Sequence, residues 1–255
     1  MARSRFVILD DNNVDDHHLC CALGDPKHVD GVERKRTWLK KRFREGLVFR
    51  KLDERGKAFI EYMPSEMAWR PIVAPGWITV HCLWVSGRLA KQGHARALVE
   101  GCIADAKGQE KAGVVIASAK TKRPFLSDPK FLKHLGFEVV DKRGEYRLFA
   151  YVLDKNAKPP QFAKSVKPDG GDTGEPFVAR HTDQCPFNAH WAPEMANSIE
   201  NRGREVKVEH VRTRAKAQKV ASPLGTFGLE QSSTVVTHHL NTDAAVGRLL
   251  SRRGQ

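Results

Sequence analysis

The sequence predicts an α/β protein: a mixed sheet with flanking helices, followed by a small second α/β unit. Three observations carry this. "WITVHCLWV" (residues 77–85) holds no charge in a chain that is 29% charged, so it reads as a buried strand. Strand-length apolar runs alternate with helical spacing on both sides of it. At residues 154–176 the texture shifts to "DKNAKPPQFAKSVKPDGGDTGEP", rich in Pro, Gly and charge, which reads as an exposed connector. The expected division is 1–155, a linker over 156–175, and 176–255.

In the first unit, the polar stretch from Asp10 to Asp16 leads toward a helix over 17–23, broken by Gly24-Asp25-Pro26. Asp30 is placed to cap a helix over 31–44 that carries Trp38, Leu39 and Phe43 on a basic surface, and Gly46 closes it. "LVFRKL", the turn "DERG" and "KAFIEYM" form a hairpin. After the charge-free strand come a loop (86–92), a helix over 94–107, and the buried strand "GVVIASA". "DPKFLKHLGF" is a short helix ending at Gly136, and "EYRLFAYVL" is the last strand.

In the second unit "FVARHT" is a strand, Cys185-Pro186 opens a helix, and "EVKVEHV" is a strand. Residues 213–221 are helical, "GTFGLE" and "TVVTHHL" form a hairpin, and 242–252 is a final helix. No internal repeat is present.

The chain of 255 residues is 40% hydrophobic, enough for a sizeable core, and its net charge of +13 favours anionic partners. No apolar run reaches the roughly 18 residues of a membrane span, and the start "MARSRFVILDDNN" does not read as a signal peptide. Five cysteines without a framework argue against structural disulfides and for a reducing cytoplasm.

The junction "LWVSGRLAKQGHARALVEG" carries the first chemistry. A strand entering a loop and then a helix aims free N–H groups and the positive dipole end at one spot, suited to a phosphate. Gly93 permits close approach, Ala95 keeps the first turn slim, and Arg88, Lys91 and Arg96 add charge. Leu83-x-Val85 followed by "AKQGHA" resembles the acyl-CoA signature of the GCN5-related N-acetyltransferase (GNAT) family, Gln/Arg-x-x-Gly-x-Gly/Ala, with Ala90 departing from its first position. "FLKHLGFEVV" resembles the family's later helix–turn–strand motif.

The resemblance covers about residues 1–155 and implies a GNAT-fold mixed sheet with acetyl-CoA as acyl donor. Leu83, Trp84 and Val85 would splay from the neighbouring strand and pair with the pantetheine arm. Ala90, Lys91, Gln92, Gly93, His94, Ala95 and Arg96 would surround the pyrophosphate. A substrate amine would attack the thioester directly, which requires positioning, a base and an acid. The family's Tyr acid position is Leu132 here, so no hydroxyl comes from it. As base candidates we take Glu61 and His81, on strands expected to face the acceptor cleft. Either could instead be an ordinary strand residue.

In "FVARHTDQCPFNAHW", Cys185 follows a strand at the mouth of a helix, where dipole and N–H groups would lower its pKa. With Pro223 ahead of a strand, this resembles a thioredoxin-like fold, in which a cis-proline sits beside the active cysteine. Asn188 occupies the second cysteine position, leaving at most a monothiol site. The two units in this order, with "HLCCA", "WVSG", "PFLSD", "LGFEVV" and "CPF", resemble acetyltransferases with a C-terminal YoaP-like, thioredoxin-like domain.

"DDHHLCC" offers metal-ligand types, but Cys20 and Cys21 side chains diverge on a helix, and no metal site is expected. His238-His239 reads as an edge-strand pair. The expected activity is acyl transfer to an amine of a small molecule. One alternative keeps the fold and takes the acyl group from an aminoacyl-tRNA or an acidic carrier protein, received on the basic helices at 34–44 and 212–219 and the Arg252-Arg253 tail. Another is a degenerate acyltransferase acting as a thiol redox or binding module through Cys185.

Overall fold

The computed structural model describes residues 5–19, 21–168, 172–239 and 242–253. The larger sheet is built from β1 (Phe6–Leu9), β2 (Val48–Leu52), β3 (Lys57–Pro64), β5 (Ile78–Ser86), β6 (Gly113–Ala119), β7 (Glu138–Arg143) and β8 (Tyr146–Val152). Its order is β1-β2-β3-β5-β6-β8-β7, and only β5 and β6 run parallel. The parallel pair requires a crossover, which α2 (His94–Gly108) supplies. The remaining helices of this half are α1 (Val29–Phe43) and α3 (Pro129–His134).

The two faces of this sheet are covered differently. On one, Leu98, Val99, Cys102 and Ala106 of α2 and Leu132 of α3 pack on Ile60, Tyr62, Val80, Val114 and Ile116. On the other, Trp38 and Leu39 of α1 pack on Phe49, Phe59 and Met63, joined by Val211, Ala217 and Val220 from the C-terminal half. Farther along, Trp77, Val115 and Leu148 pack with Ala221 and Val235. The C-terminal half is thus a layer on the sheet.

That half has its own four-stranded sheet, from β10 (Phe177–His181), β11 (Val206–His210), β12 (Phe227–Gln231) and β13 (Thr234–Thr237), in the order β11-β10-β12-β13. Strands β10 and β11 are parallel and the other pairs antiparallel. Helices α4 (Asn188–Glu200), α5 (Arg214–Ala217) and α6 (Asp243–Arg253) complete it. Phe177, Ala179, Ala192, Met195, Ile199, Leu229 and Val246 form its core.

Several expectations change. The described residues of 17–23 form a bend, an irregular stretch and a turn rather than a helix, and the Arg36 guanidinium donates to the backbone carbonyls of Val14 and His17. Cys20 lies outside the described residues. Asp30 is not the cap of α1. It lies in the first turn and pairs with Arg34 at 2.8 Å, while Asp25 caps the preceding 3-10 turn. The strand expected at 145–153 is one arm of a hairpin with β7, turning at Gly144, whose φ is +52°. Strand β1, read only as a short apolar run, is an edge strand on β2. The segment expected as an exposed connector is held down: β9 (Gln161–Phe162) pairs with β4 (Ile72–Val73), and Phe162 and Val166 are buried. The 213–221 helix shortens to α5, capped by the Thr213 hydroxyl. All described peptide bonds are trans, so Pro223 is not a cis-proline.

Helix α1 meets the C-terminal half where a Cβ on Gly31 would collide with the Pro186 carbonyl. Gly31→Ala is expected to lower unfolding free energy by about 2 kcal/mol or more, since backbone must move to admit the methyl. In urea denaturation, Gly108→Ala is the control: its added Cβ meets nothing within 4 Å, and it should be neutral or slightly stabilising.

Candidate active site

The site begins where β5 leaves β6. The two strands pair only over Ile78–Val114, Thr79–Val115 and Val80–Ile116, although β5 continues to Ser86 and β6 to Ala119. The divergence starts at a bulge. Glu61 lies opposite Cys82 and Tyr62 opposite Val80, so His81 is the extra residue. A bulge bends its strand and re-aims side chains. Val80, Leu83 and Val85 face the α2 side, whereas Cys82 and Trp84 face α1 and the C-terminal half. Past the bulge, the β6-side backbone of Leu83, Trp84 and Val85 has no ladder partner on β6.

The strand runs into a 3-10 turn at Gly87–Leu89, then Ala90 to Gly93, then α2. Lys91 (φ +62°) and Gly93 (φ +84°) are left-handed, which folds the loop tightly enough to face the helix opening. The Ala90 amide is taken by the Gly87 carbonyl, removing it from any ligand. Ala97 N–H to Gly93 O starts the helix, so the first-turn amides before it point out of its end. A side chain at Gly93 would meet nothing within 4 Å, so the backbone there is open to a ligand.

The split opens into a cavity of about 410 Å3. Val80, Leu83, Ile116 and Ala117 line it at the strands. Phe187, Trp191, Leu224 and Phe227 roof it from the C-terminal half, with Trp84 stacked on Phe125 at 6.1 Å between ring centres. The volume suits a small molecule and the walls are mainly apolar.

Beneath the cavity lies a buried polar network joining both halves. Lys35 Nζ donates to Glu61 Oε2 at 2.7 Å and to the Gln184 carbonyl at 2.6 Å. Gln184 Nε2 donates to Glu61 Oε1 at 2.9 Å. His81 Nδ1 is 3.5 Å from the same oxygen, and His81 Nε2 accepts the Trp69 N–H at 3.2 Å. Arg70 donates to the His81 carbonyl and, at 2.7 Å, to Thr226 Oγ1. The Thr226 hydroxyl lies 3.2 Å from Gln184 Oε1, and Asn188 Nδ2 bonds the Thr226 carbonyl at 2.9 Å.

Burial alone would raise the Glu61 pKa, but the Lys35 charge and the His81 and Lys35 contacts outweigh it and hold Glu61 down to about 2. Burial opposes the Lys35 charge, yet Glu61 reverses this and keeps Lys35 protonated. Burial lowers His81 to about 4, so it is neutral.

The predicted base candidates therefore sit differently from expectation. Glu61 is fully buried in its ion pair and does not line the cavity. His81 does line it, but its Nε2 lone pair already serves Trp69. Cys185 lines the cavity, and its predicted low pKa is overturned: burial raises it against the helping N–H of Phe187. It lies two residues before Phe187, the N-cap of α4. His238, expected on an edge strand, lines the cavity, with Nδ1 2.9 Å from the Tyr146 hydroxyl. Leu132 is buried in the apolar core. Lys35, Arg70, Gln184 and Thr226 were missed. For Lys35 a signal existed: it lies three and four residues before Trp38 and Leu39, on the buried face of α1.

No family model matches the chain. It is 36% identical over 248 residues, 96% of this chain and 98% of the relative, to the uncharacterized N-acetyltransferase YoaP of Bacillus subtilis (strain 168). The chain belongs to the YoaP-like GNAT N-acetyltransferases. Among solved structures, it is similar to a GNAT acetyltransferase from Brucella melitensis in complex with acetyl-CoA (14% identity, 64% of this chain, 98% of that chain, TM-score 0.37). It is also similar to an N-acetyltransferase from Staphylococcus aureus Mu50 (12% identity, 59% and 100% covered, TM-score 0.43). In this YoaP-like acetyltransferase, the match over nearly the full length of both chains includes the half that roofs the cavity.

Lys35→Met should destabilise the protein by about 3–5 kcal/mol in urea denaturation, because it strands a buried carboxylate. Lys35→Met/Glu61→Leu should recover part of that loss. A second expectation concerns pH. His81, His181 and His238 each titrate near 4 when folded, depressed chiefly by burial from an ordinary 6.5. Between those values the unfolded chain binds protons the folded chain does not, so stability should fall as pH drops from about 6.5 toward 4. Glu61 extends the loss from about 4.5 toward 2. Thermal melts from pH 7.5 to 4 check this, and a melting temperature that rises with acidification would contradict it.

Proposed function

We propose that this N-acetyltransferase moves the acetyl group of acetyl-CoA to the amine of a small molecule held between the split strands and the C-terminal half. The observation carrying the reading is the cavity itself. It opens at the β5–β6 divergence, includes residues from both faces of the sheet, and is lined from the C-terminal half by Phe187, Trp191 and Phe227. A mainly apolar chamber of that volume suits a small acceptor.

Acetyl-CoA fits the other end as the acyl thioester it supplies. The unpaired backbone of Leu83, Trp84 and Val85 is assigned to the pantetheine arm. Lys91, Gln92, Gly93, His94, Ala95 and Arg96 are assigned to the pyrophosphate, with Ala90 in the turn behind them. Gly93's open, left-handed backbone supports this, as does the helix N-terminus it caps.

The geometry also bears on proton traffic. Apolar walls and the buried Lys35 and Arg70 charges both disfavour an ammonium, so the acceptor binds as its free base and little base strength is needed. Glu61 and His81 are accordingly assigned to positioning: together they fix the bulge and the strand split. A thiolate leaves readily because a thiol's pKa is only about 8.5. That agrees with the apolar Leu132 at the family's acid position. Cys185 is assigned to the acceptor wall, as a thiol.

We read residues 176–255 as a thioredoxin-like domain after a GNAT domain over 1–155, with 156–175 between them. The order β11-β10-β12-β13, with one parallel pair and helices after the first, second and last strands, supports this. Cys82, Cys102 and Cys185 are free thiols, which supports a reducing cytoplasm. No described helix is long and apolar enough to cross a membrane.

Calorimetric titration with acetyl-CoA tests the donor site. The wild-type protein should bind, Gly93→Glu should lose at least about tenfold in affinity by setting a carboxylate against the pyrophosphate, and Gly93→Ala should retain most of it. Failure of folded wild-type protein to bind would overturn the reading.

A further inference from the structure

The cavity contains a charge that the chain does not neutralise. Arg70 is 4% exposed and lines the cavity. Its hydrogen bonds go to two neutral oxygens, the Thr226 hydroxyl and the His81 carbonyl. Among the described residues no carboxylate lies within ion-pairing distance of it. Glu61, the only carboxylate in the buried network, is held by Lys35 and Gln184.

Four other titratable groups lining the cavity add no negative charge. Burial raises Cys82 to about 12 and raises Cys185, so both stay thiols. Burial holds His81 and His238 neutral, each near 4. Lys57 adds a cation to the wall, and among the described residues no Asp or Glu lines the cavity. Two buried cations against one buried anion leave an excess positive charge facing apolar space. Leaving a guanidinium there without a counter-ion is costly, and burial already drags the Arg70 pKa down to about 10. A ligand anion would relieve that cost, and a guanidinium fork matches a carboxylate.

We infer that the acceptor is a small amine that also carries a carboxylate, of the class of apolar α-amino acids, with the carboxylate on Arg70 and the side chain against Trp84, Phe187, Trp191 and Phe227. The inference rests on the acetyltransferase reading and narrows its acceptor. The same wall that rejects an ammonium accepts an amino acid whose amine is unprotonated and whose net charge is then −1. In the transfer, the amine nitrogen bonds the acetyl carbon, the carbon–sulfur bond breaks, the thiolate leaves with the electron pair, and one amine proton passes to solvent.

The test uses the full-length protein with acetyl-CoA and follows free-thiol release with three acceptors: L-phenylalanine, its amide, and phenethylamine. L-Phenylalanine should be preferred by about 30-fold in kcat/KM over both others, the worth of one charge-assisted bidentate contact. Arg70→Met should abolish that preference, lowering kcat/KM for L-phenylalanine by at least about tenfold more than for phenethylamine. Equal use of all three acceptors by the wild type, or transfer to none of them despite acetyl-CoA binding, overturns the inference and leaves the donor reading standing. If Arg70→Met slows all acceptors equally, Arg70 serves the reaction and not the carboxylate, and the inference falls. Absence of acetyl-CoA binding instead removes the reading beneath it. Should Arg70→Met fail to fold, the wild-type comparison alone decides.

Discussion

The Lys35–Glu61 ion pair organises the rest. It joins helix α1 to the centre of the larger sheet, and Gln184 from the other half closes it with both its backbone carbonyl and its side chain. A buried pair seldom adds stability over well-packed apolar residues, because both ions lose their water. Its value lies in direction. Lys35 and Glu61 have few ways to satisfy their hydrogen bonds, and the one observed requires α1, β3 and the segment before α4 to meet in a single register.

That register sets the bulge beside it. His81 is the extra residue opposite Glu61, and from it β5 turns away from β6. The same constraint thus fixes the docking of the halves and opens β5 away from β6. Arg70 hangs from the outside of this bulge by the His81 carbonyl and reaches Thr226 across the junction. Strand split, cavity and interface are three aspects of one local irregularity.

Much of this was legible in the sequence because its signals are local. A charge-free strand, a glycine with small neighbours and a helical repeat announce the β5–loop–α2 junction within a few tens of residues. Cys185-Pro186 announced a helix start that came two residues late. The network was not legible because its partners are far apart: Gln184 lies 149 residues from Lys35, and Thr226 lies 156 from Arg70. Lys35 sits in a helix crowded with other cations, where a solvated face is the ordinary reading. Arg70 follows a tryptophan in an irregular segment with no periodicity at all. Phe162 and Val166 were hidden by a Pro- and Gly-rich composition that suggested exposure, although two apolar anchors suffice to hold such a segment to a sheet.

The shared layer has a consequence for how the chain is made. Phe59, Trp38 and Trp77 emerge from the ribosome early, while Val211, Ala217, Val220 and Val235, which cover that face, come last. From Ala119 to Val220 is about 100 residues, so at about 5–20 residues per second the apolar face waits some 5–20 s for its cover. Throughout that interval the nascent sheet is a sticky surface in need of shelter, and the order of synthesis makes the C-terminal half the step that ends its exposure.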